Sequence, residues 1–164
     1  MSAGIKFTTS VAVVCMALAS TARAEDAGAT IRKDIDIYMQ SIDAADPDMA
    51  TKVWSTTPQV SFIHPLGHEK GWDSIKTNFY DKIMGGALKD RHLKLVGEPA
   101  IHVYGESAVV EFYWDFVATI KENGAALHTT GRETQVYENL AGLGWRIVHI
   151  HYSRPPATEL SKGL

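Results

Sequence analysis

The chain has 164 residues, of which 45% are hydrophobic and 21% are charged, with 16 Lys and Arg against 19 Asp and Glu. This balance is typical of one globular domain and excludes collagen-like, coiled-coil and low-complexity classes. No apolar run approaches the roughly 20 residues that a membrane-spanning helix needs.

The first 24 residues have the pattern of a secretory signal peptide. Lys6 precedes an apolar stretch at 11–19, and small residues lead from there to Ala24 as in a cleavage site. A buried N-terminal helix is the alternative, but the stretch lacks acidic residues and polar periodicity. We therefore expect residues 1–24 to be removed near Ala24, residues 25–164 to form the domain, and the protein to be periplasmic or secreted.

The composition of that expected domain restricts its chemistry and its partners. Cleavage would remove the only cysteine, Cys15, and with it any disulfide or Cys-ligated metal. It would also remove Lys6 and Arg23 and no acidic residue, which lowers the formal charge from −3 to −5. Nucleic acid and anionic membrane surfaces are poor partners for a domain of this charge.

Helices are predicted in the first half of the chain. Apolar residues recur at helical spacing over 30–45, with Tyr38 on the apolar face. Asp46 is a good N-cap for a second helix that begins at Pro47 and ends near 54–57. A strand at 59–64 stops at the turn 65–67, and Asp73 is predicted to cap a third helix that ends at Gly85 and Gly86.

Strands are predicted in the second half, where the hydrophobic period changes to two. The candidates are 92–96, 100–104, 108–121, 127–137 and 145–153, with a hairpin turn at 122–124. Alternation in the longest candidate points Trp114 inward. Helices followed by a meander indicate an α+β fold in which a curved antiparallel sheet wraps three N-terminal helices.

Two segments carry a resemblance to known proteins. The sequence Gly131-Arg-Glu-Thr-Gln-Val-Tyr137, a short loop and Gly144-Trp-Arg-Ile-Val-His-Ile-His-Tyr-Ser153 are similar to the ends of SnoaL-like domains and of the calcium/calmodulin-dependent protein kinase II association domain. The sequence His64-Pro-Leu-Gly67, followed by Gly71-Trp-Asp73 and a helix, strengthens the likeness. The chain thus resembles the nuclear transport factor 2-like superfamily, which includes ketosteroid isomerase. That resemblance implies a cone-shaped, cystatin-like α+β barrel that forms homodimers or higher oligomers.

The resemblance also implies catalytic residues. The helical tyrosine of the ketosteroid isomerase oxyanion hole falls on Tyr38, its catalytic base falls on His64, and its neutral carboxylic acid falls on Glu133. Imidazole exchanges protons near neutral pH, and a buried neutral carboxylic acid donates hydrogen bonds.

The same comparison implies that Trp114, Gln135 and Tyr152 contact the substrate. Tyr80 on the third helix is also predicted to bind it. Arginines that the kinase association domain carries inward are replaced here by these uncharged residues. A neutral, aromatic pocket favours an uncharged or aromatic ligand over a carboxylate.

Each catalytic residue has a structural alternative. His64 can be a packing or capping residue, and Tyr38 can be an ordinary core tyrosine. If the register of the strand is shifted by one residue, Arg132 faces inward and Glu133 faces solvent, because a one-residue slip exchanges the two faces.

His149 and His151 are two apart on a strand, so both side chains lie on one face, where they could ligate a metal. A complete ligand set would require His64, His68 or a carboxylate, and the resemblance sends both histidines to the outer face, where this fold commonly dimerises. We therefore predict no metal and no cofactor.

The sequence favours a cofactor-free pocket protein that acts as an isomerase, cyclase or lyase on a small hydrophobic, ring-bearing molecule. The alternatives are a non-catalytic ligand-binding or oligomerisation module, and metal-dependent chemistry at the histidines. In this fold the shape of the pocket decides which substrate is bound.

Overall fold

The computed structural model describes residues 10–154 of the chain, and their side chains from residue 25 onward. The predicted leader therefore lies partly outside the described residues, and its cleavage stays a prediction. Helix α1 spans Ser10–Ala44, so the predicted helix at 30–45 is the C-terminal part of a longer one. Within the described part of the chain, no helix is long and apolar enough to span a membrane.

Helix α2 is shorter than predicted and covers Pro47–Ala50. Its N-cap is Asp46, as predicted, because the carboxylate accepts hydrogen bonds from the backbone N–H groups of Asp48 and Met49. Beyond it the chain bonds to the sheet, since Ile147 donates to the carbonyl oxygen of Val53 over 2.8 Å.

A short hairpin and a helix follow. Strands β1, Ser61–His64, and β2, Gly67–Lys70, are antiparallel; the sequence did not predict β2, which is short and polar. Helix α3, Trp72–Ser74, continues as a π-helix over Ile75–Ala87. Gly71, with φ of 80°, is the N-cap rather than Asp73, which lies in the first turn.

The remaining chain forms a meander of long strands. These are β3, Leu88–Tyr104; β4, Ser107–Ile120; β5, Ala126–Leu140; and β6, Gly144–Ser153. The six strands form one sheet in the order β2-β1-β6-β5-β4-β3. The sheet is curved and not closed, and its fold class is the predicted α+β one. It is mixed, because β1 runs parallel to β6.

Side-chain alternation in β4 sets which face of the sheet is covered. Ala108, Val110, Phe112, Trp114, Phe116 and Ala118 are buried. The residues between them are exposed or half-buried. The six buried side chains pack toward α1 and the π-helix, whose buried residues include Ile31, Ile35, Phe79 and Tyr80. The predicted inward direction of Trp114 is therefore confirmed.

Two irregularities explain where simple alternation fails. The predicted strands at 92–96 and 100–104 are one strand, interrupted by a register shift between Val96 and Ala100. In β6, the register shifts opposite Val136 and Tyr137. The set of alternate residues that faces inward is therefore different before and after the shift. Trp145 and Ile147 are consequently buried, whereas Arg146 and Val148 are half-buried.

Candidate functional site

A cavity of about 280 Å³ lies between the concave face of the sheet, α1 and the π-helix. Most of its wall is aliphatic or aromatic, and its polar side chains include Tyr38, Glu133, Thr129, Thr130 and Arg154. The remaining wall is formed by Ile42, Pro65, Leu66, Phe79, Ile83, Met84, Leu88, Leu93, Trp114, Phe116, Leu127 and Tyr152.

Glu133 contributes a buried carboxyl group to this wall. It is 4% exposed, whereas its neighbour Arg132 is exposed. Glu133 pairs with Phe112 on β4 and Tyr152 on β6, both of which have inward side chains. The register is therefore the one that brings the carboxyl inward, and the alternative with Arg132 inside is wrong.

Two side chains stabilise the Glu133 carboxyl. Gln135 Nε2 donates to Oε1 over 2.7 Å, and the Tyr38 side chain is a second hydrogen-bonding partner. Burial raises the pKa of Glu133 to about 7, and the hydrogen bonds from Gln135 and Tyr38 oppose that rise. At neutral pH both the acid and its conjugate base are accessible to this group.

Two tyrosines in the cavity wall, Tyr38 and Tyr152, remain uncharged at neutral pH. Burial raises the pKa of Tyr38 well above its usual value, and the nearby Glu133 charge raises it further. Burial likewise raises the pKa of Tyr152 to about 12. These hydroxyls can donate hydrogen bonds to a developing oxyanion without losing their own protons at neutral pH.

Trp114 and Tyr152, both predicted to contact the substrate, lie in the cavity wall. Their rings meet edge to face, with centroids 5.5 Å apart and planes at 90°. Gly131 lies opposite Trp114 on β5. A Cβ there would overlap the indole ring and the carbonyl oxygen of Ser153, so this glycine is required by close approach.

His64, the predicted base, is buried but is not among the described side chains that line the cavity. Its ring stacks on Tyr152 at 6.1 Å and packs against Phe79 at 5.6 Å, and these two residues form the wall in front of it. Glu69 Oε1 lies 3.6 Å from its Nε2. Burial lowers the pKa of His64, although the Glu69 carboxylate opposes this. His64 therefore lies behind the described wall of the cavity, and its role as the base stays a prediction.

Gln135 and Tyr80, which were predicted to contact the substrate, are not in the described wall of the cavity. Both are fully buried, and neither belongs to the described lining of the cavity. Gln135 lies behind Glu133 and contacts it directly, while the Tyr80 hydroxyl is 2.9 Å from Ser41 Oγ. Inward direction was inferred correctly for both, but a residue can face inward and still be covered by its neighbours.

His149 and His151 lie on the outer side of the sheet, as predicted. His151 is exposed, and His149 Nδ1 lies 2.7 Å from Ser61 Oγ. Burial and the neighbouring His151 and His68 lower the pKa of His149. Within residues 25–154, no group of three or more His, Cys, Asp or Glu side chains is arranged to hold a metal ion.

Sequence reasoning missed two residues that contact the candidate site residues, Tyr137 and Glu69. Tyr137 continues the inward row of Glu133 and Gln135 at a spacing of two, and its hydroxyl donates to Gln135 over 2.8 Å; the same alternation would have indicated it. Glu69 was missed with β2. It accepts hydrogen bonds from Ser74 and from Asn78, the latter at 2.8 Å.

Comparison with known proteins gives one family model, described as the calcium/calmodulin dependent protein kinase II association domain, which matches residues 28–156. A solved nuclear transport factor 2-like superfamily protein from Salmonella enterica serovar Typhimurium is 47% identical. The match covers 85% of this chain and 99% of that one, with a TM-score of 0.84. No match was found among curated proteins.

Two more distant structures share the fold. The kinase II hub of S. rosetta is 23% identical over 76% of this chain and 94% of that chain, with a TM-score of 0.62. A protein with a cystatin-like fold from Caulobacter vibrioides is 20% identical over 80% of this chain and 91% of that chain, with a TM-score of 0.63.

Proposed function

The chain belongs to the nuclear transport factor 2-like superfamily and, within it, to the calcium/calmodulin dependent protein kinase II association domain family, and we propose that it binds and transforms a small molecule in its cavity. The substrate is uncharged, hydrophobic and ring-bearing, and the reaction is a proton transfer of the isomerase, cyclase or lyase type.

One observation carries this proposal: a carboxyl group, that of Glu133, is buried in the wall of an otherwise mainly apolar cavity. A buried carboxyl group costs free energy of folding unless it is neutral or hydrogen-bonded. A pKa of about 7 suits an acid–base group, because the best catalytic pKa lies near the working pH.

The proposed step uses Glu133 and Tyr38. The Glu133 carboxylate takes a proton from the carbon next to a substrate carbonyl, so the C–H bond breaks and an O–H bond forms. The electron pair moves onto the carbonyl oxygen. Once Glu133 is protonated, the Tyr38 hydroxyl transfers its one donated hydrogen bond from Glu133 to that oxygen. Glu133 then returns the proton to carbon. The largely apolar wall strengthens that hydrogen bond by keeping water away.

His64 has no step in this proposal, because Phe79 and Tyr152 separate its ring from the cavity. The role of base that the family resemblance assigned to it passes to Glu133. This reassignment is tested by replacing both residues.

The test measures by NMR how fast the C6 protons of 2-cyclohexenone, which lie next to the carbonyl, exchange with D₂O. We expect Glu133→Gln to slow this exchange by about 100-fold or more, in the range of a lost acid–base group, and His64→Gln to have little effect. Glu69→Gln is the matched control, because Glu69 is a second buried glutamate outside the cavity wall. A normal exchange rate in Glu133→Gln refutes the proposal.

A second candidate function is assembly, because the matching family model and the S. rosetta structure are an association domain and a hub. We propose that the chain forms a homo-oligomer through the outer face of the sheet. That face carries exposed Tyr113 and Val96, which pair with each other on β4 and β3, and exposed His151 on β6.

Light scattering coupled to size exclusion tests this. We expect the wild type to be a dimer or larger and His151→Asp to dissociate it. Thr77→Asp is the control, since Thr77 is exposed on the π-helix rather than on the sheet. A monomeric wild type, or an assembly that His151→Asp leaves intact, contradicts this candidate.

A further inference from the structure

Three polar side chains form a continuous row on the inward face of β5. Glu133, Gln135 and Tyr137 are spaced by two, and none is more than 4% exposed. The Tyr137 hydroxyl donates to Gln135 Oε1 over 2.8 Å, and Gln135 Nε2 donates to Glu133 Oε1 over 2.7 Å. The row therefore ends at the carboxyl in the cavity wall.

The structure shows which way the Gln135 amide is oriented in this row. A side-chain amide has a donor end and an acceptor end. Because Tyr137 donates to the amide oxygen, the amide nitrogen of Gln135 faces Glu133. An oxygen that accepts this N–H cannot at the same time carry the acid proton along that line. The proton of neutral Glu133 then occupies the other oxygen, Oε2.

We propose that Gln135 and Tyr137 are positioning residues that keep Glu133 Oε1 an acceptor, so that the exchangeable proton resides on Oε2, the oxygen that Gln135 does not bind. Gln135 lies behind the wall, so the oxygen bonded to it is the one turned away from a bound molecule. The catalytic meaning of this arrangement rests on the proposed function, but the placement of the proton is a property of the protein alone.

The side chains that face Glu133 do not change charge over the pH range in which Glu133 titrates, apart from Asp34, so the titration of Glu133 can be measured by itself. They are tyrosines from three elements in addition to Tyr137: Tyr38 on α1, Tyr80 on the π-helix and Tyr152 on β6. The pKa of each is raised, so all remain neutral between pH 5 and 9. Asp34 on α1 acts on Tyr137 electrostatically, and burial raises its pKa to about 6. Measurements are therefore repeated in an Asp34→Asn background.

The experiment is done on the free protein labelled with ¹³C at the glutamate carboxyl. NMR gives the pKa of Glu133, and the infrared difference between neutral and alkaline samples gives the C=O stretch of the protonated acid. Glu133→Gln assigns both signals. The variants are Gln135→Met, which removes the donor, and Tyr137→Phe, which removes only one hydroxyl. Tyr80→Phe is the matched control, because its hydroxyl is also fully buried but bonds to Ser41.

Gln135→Met should raise the pKa of Glu133 by about one unit, a tenfold change in proton affinity, because one hydrogen bond to the carboxylate is lost. Its C=O stretch should move to higher frequency, since Oε1 loses its donor. Tyr137→Phe should shift both signals as well, because the amide is then free to turn its oxygen toward the carboxyl. Tyr80→Phe should shift neither.

The inference is overturned if Gln135→Met leaves both signals unchanged, or if Tyr137→Phe behaves like Tyr80→Phe. Tyr137→Phe preserves the shape of the core, so it answers the question even where Gln135→Met does not fold. These outcomes are separate from those of the proposed function. The titration can behave as described in a protein that exchanges no proton with cyclohexenone, and the exchange can depend on Glu133 without any contribution from Tyr137.

Discussion

Two buried glutamates in this chain have opposite properties, and the contrast identifies what makes one of them reactive. Burial raises the pKa of Glu133 to about 7. Glu69 has a pKa below its usual range: burial would raise it, but hydrogen bonds from Asn78 and Ser74 and the nearby His64 outweigh burial. Glu69 is 9% exposed and Glu133 is 4% exposed, so the supply of donors and the depth of burial decide together.

The two glutamates also differ in the hydrogen-bond donors that their positions in the fold supply. Glu69 lies on a short hairpin and receives donors from the neighbouring helical segment, Ser74 and Asn78. Glu133 lies in the middle of a long strand, where covalent neighbours face outward and donors must come from the inward row or from α1. The surroundings of Glu69 stabilise its carboxylate, whereas those of Glu133 leave an acid that still exchanges its proton near pH 7.

The largest expected effect is on the pH dependence of stability. The folded pKa of Glu133 lies above its unfolded value, so its favourable contribution is complete below about pH 4.5 and is lost as pH rises through about 7. The stability of Glu133→Gln relative to the wild type should thus increase by about 2 to 3 kcal/mol from pH 5 to pH 8. Urea denaturation at pH 5 and pH 8 measures it, and equal differences at both values contradict it.

Glu69→Gln should have the opposite sign. Its folded pKa is lowered, so its contribution is present above the unfolded pKa and is lost as pH falls through the folded value. Replacement should cost about 1 to 2 kcal/mol at pH 7, as expected for hydrogen bonds to a charged group. The same urea series at pH 7 and pH 3 checks it; a cost that persists undiminished at pH 3 would show that charge is not the cause.

Tyr38→Phe should have a smaller effect, on the pKa of Glu133 itself. Removing this hydroxyl removes one of the hydrogen bonds that lower the pKa, so the pKa should rise by about 0.5 to 1 unit. Carboxyl ¹³C NMR measures it, with Tyr80→Phe as the control. A fall in the pKa would mean that the tyrosine bonds chiefly to the protonated form.

His64→Phe should change stability least at neutral pH. His64 has a lowered pKa, so it is neutral at pH 7, and among the described residues neither ring nitrogen has a hydrogen-bond partner. The wild type loses stability as pH falls below about 6.5, where the unfolded histidine takes up a proton. His64→Phe should lose less over that window in thermal unfolding scans, and an unchanged acid slope would contradict this.

Much of the fold followed from local pattern. Asp46 and Pro47 predicted a helix start, and period-two alternation predicted which side of β4 is buried. Register shifts at Val96 and opposite Tyr137 could not be read this way, because a bulge depends on strand pairing. The candidate site was predicted in part: Tyr38, Glu133, Trp114 and Tyr152 meet at the cavity. His64, Gln135 and Tyr80 lie behind its wall, since alternation gives direction but not depth.

The sequence by itself determined the family, the order of helices and strands, and the residues that turn inward, because these depend on spacing and composition along the chain. Only the tertiary structure decided which inward residues reach the cavity and which carboxyl group has a pKa near neutral pH. Those properties depend on what packs across the sheet: Phe79 and Tyr152 cover His64, while Gln135 and Tyr38 meet Glu133. Neighbours that are distant in sequence set the local dielectric and the hydrogen bonds, and these in turn set the chemistry.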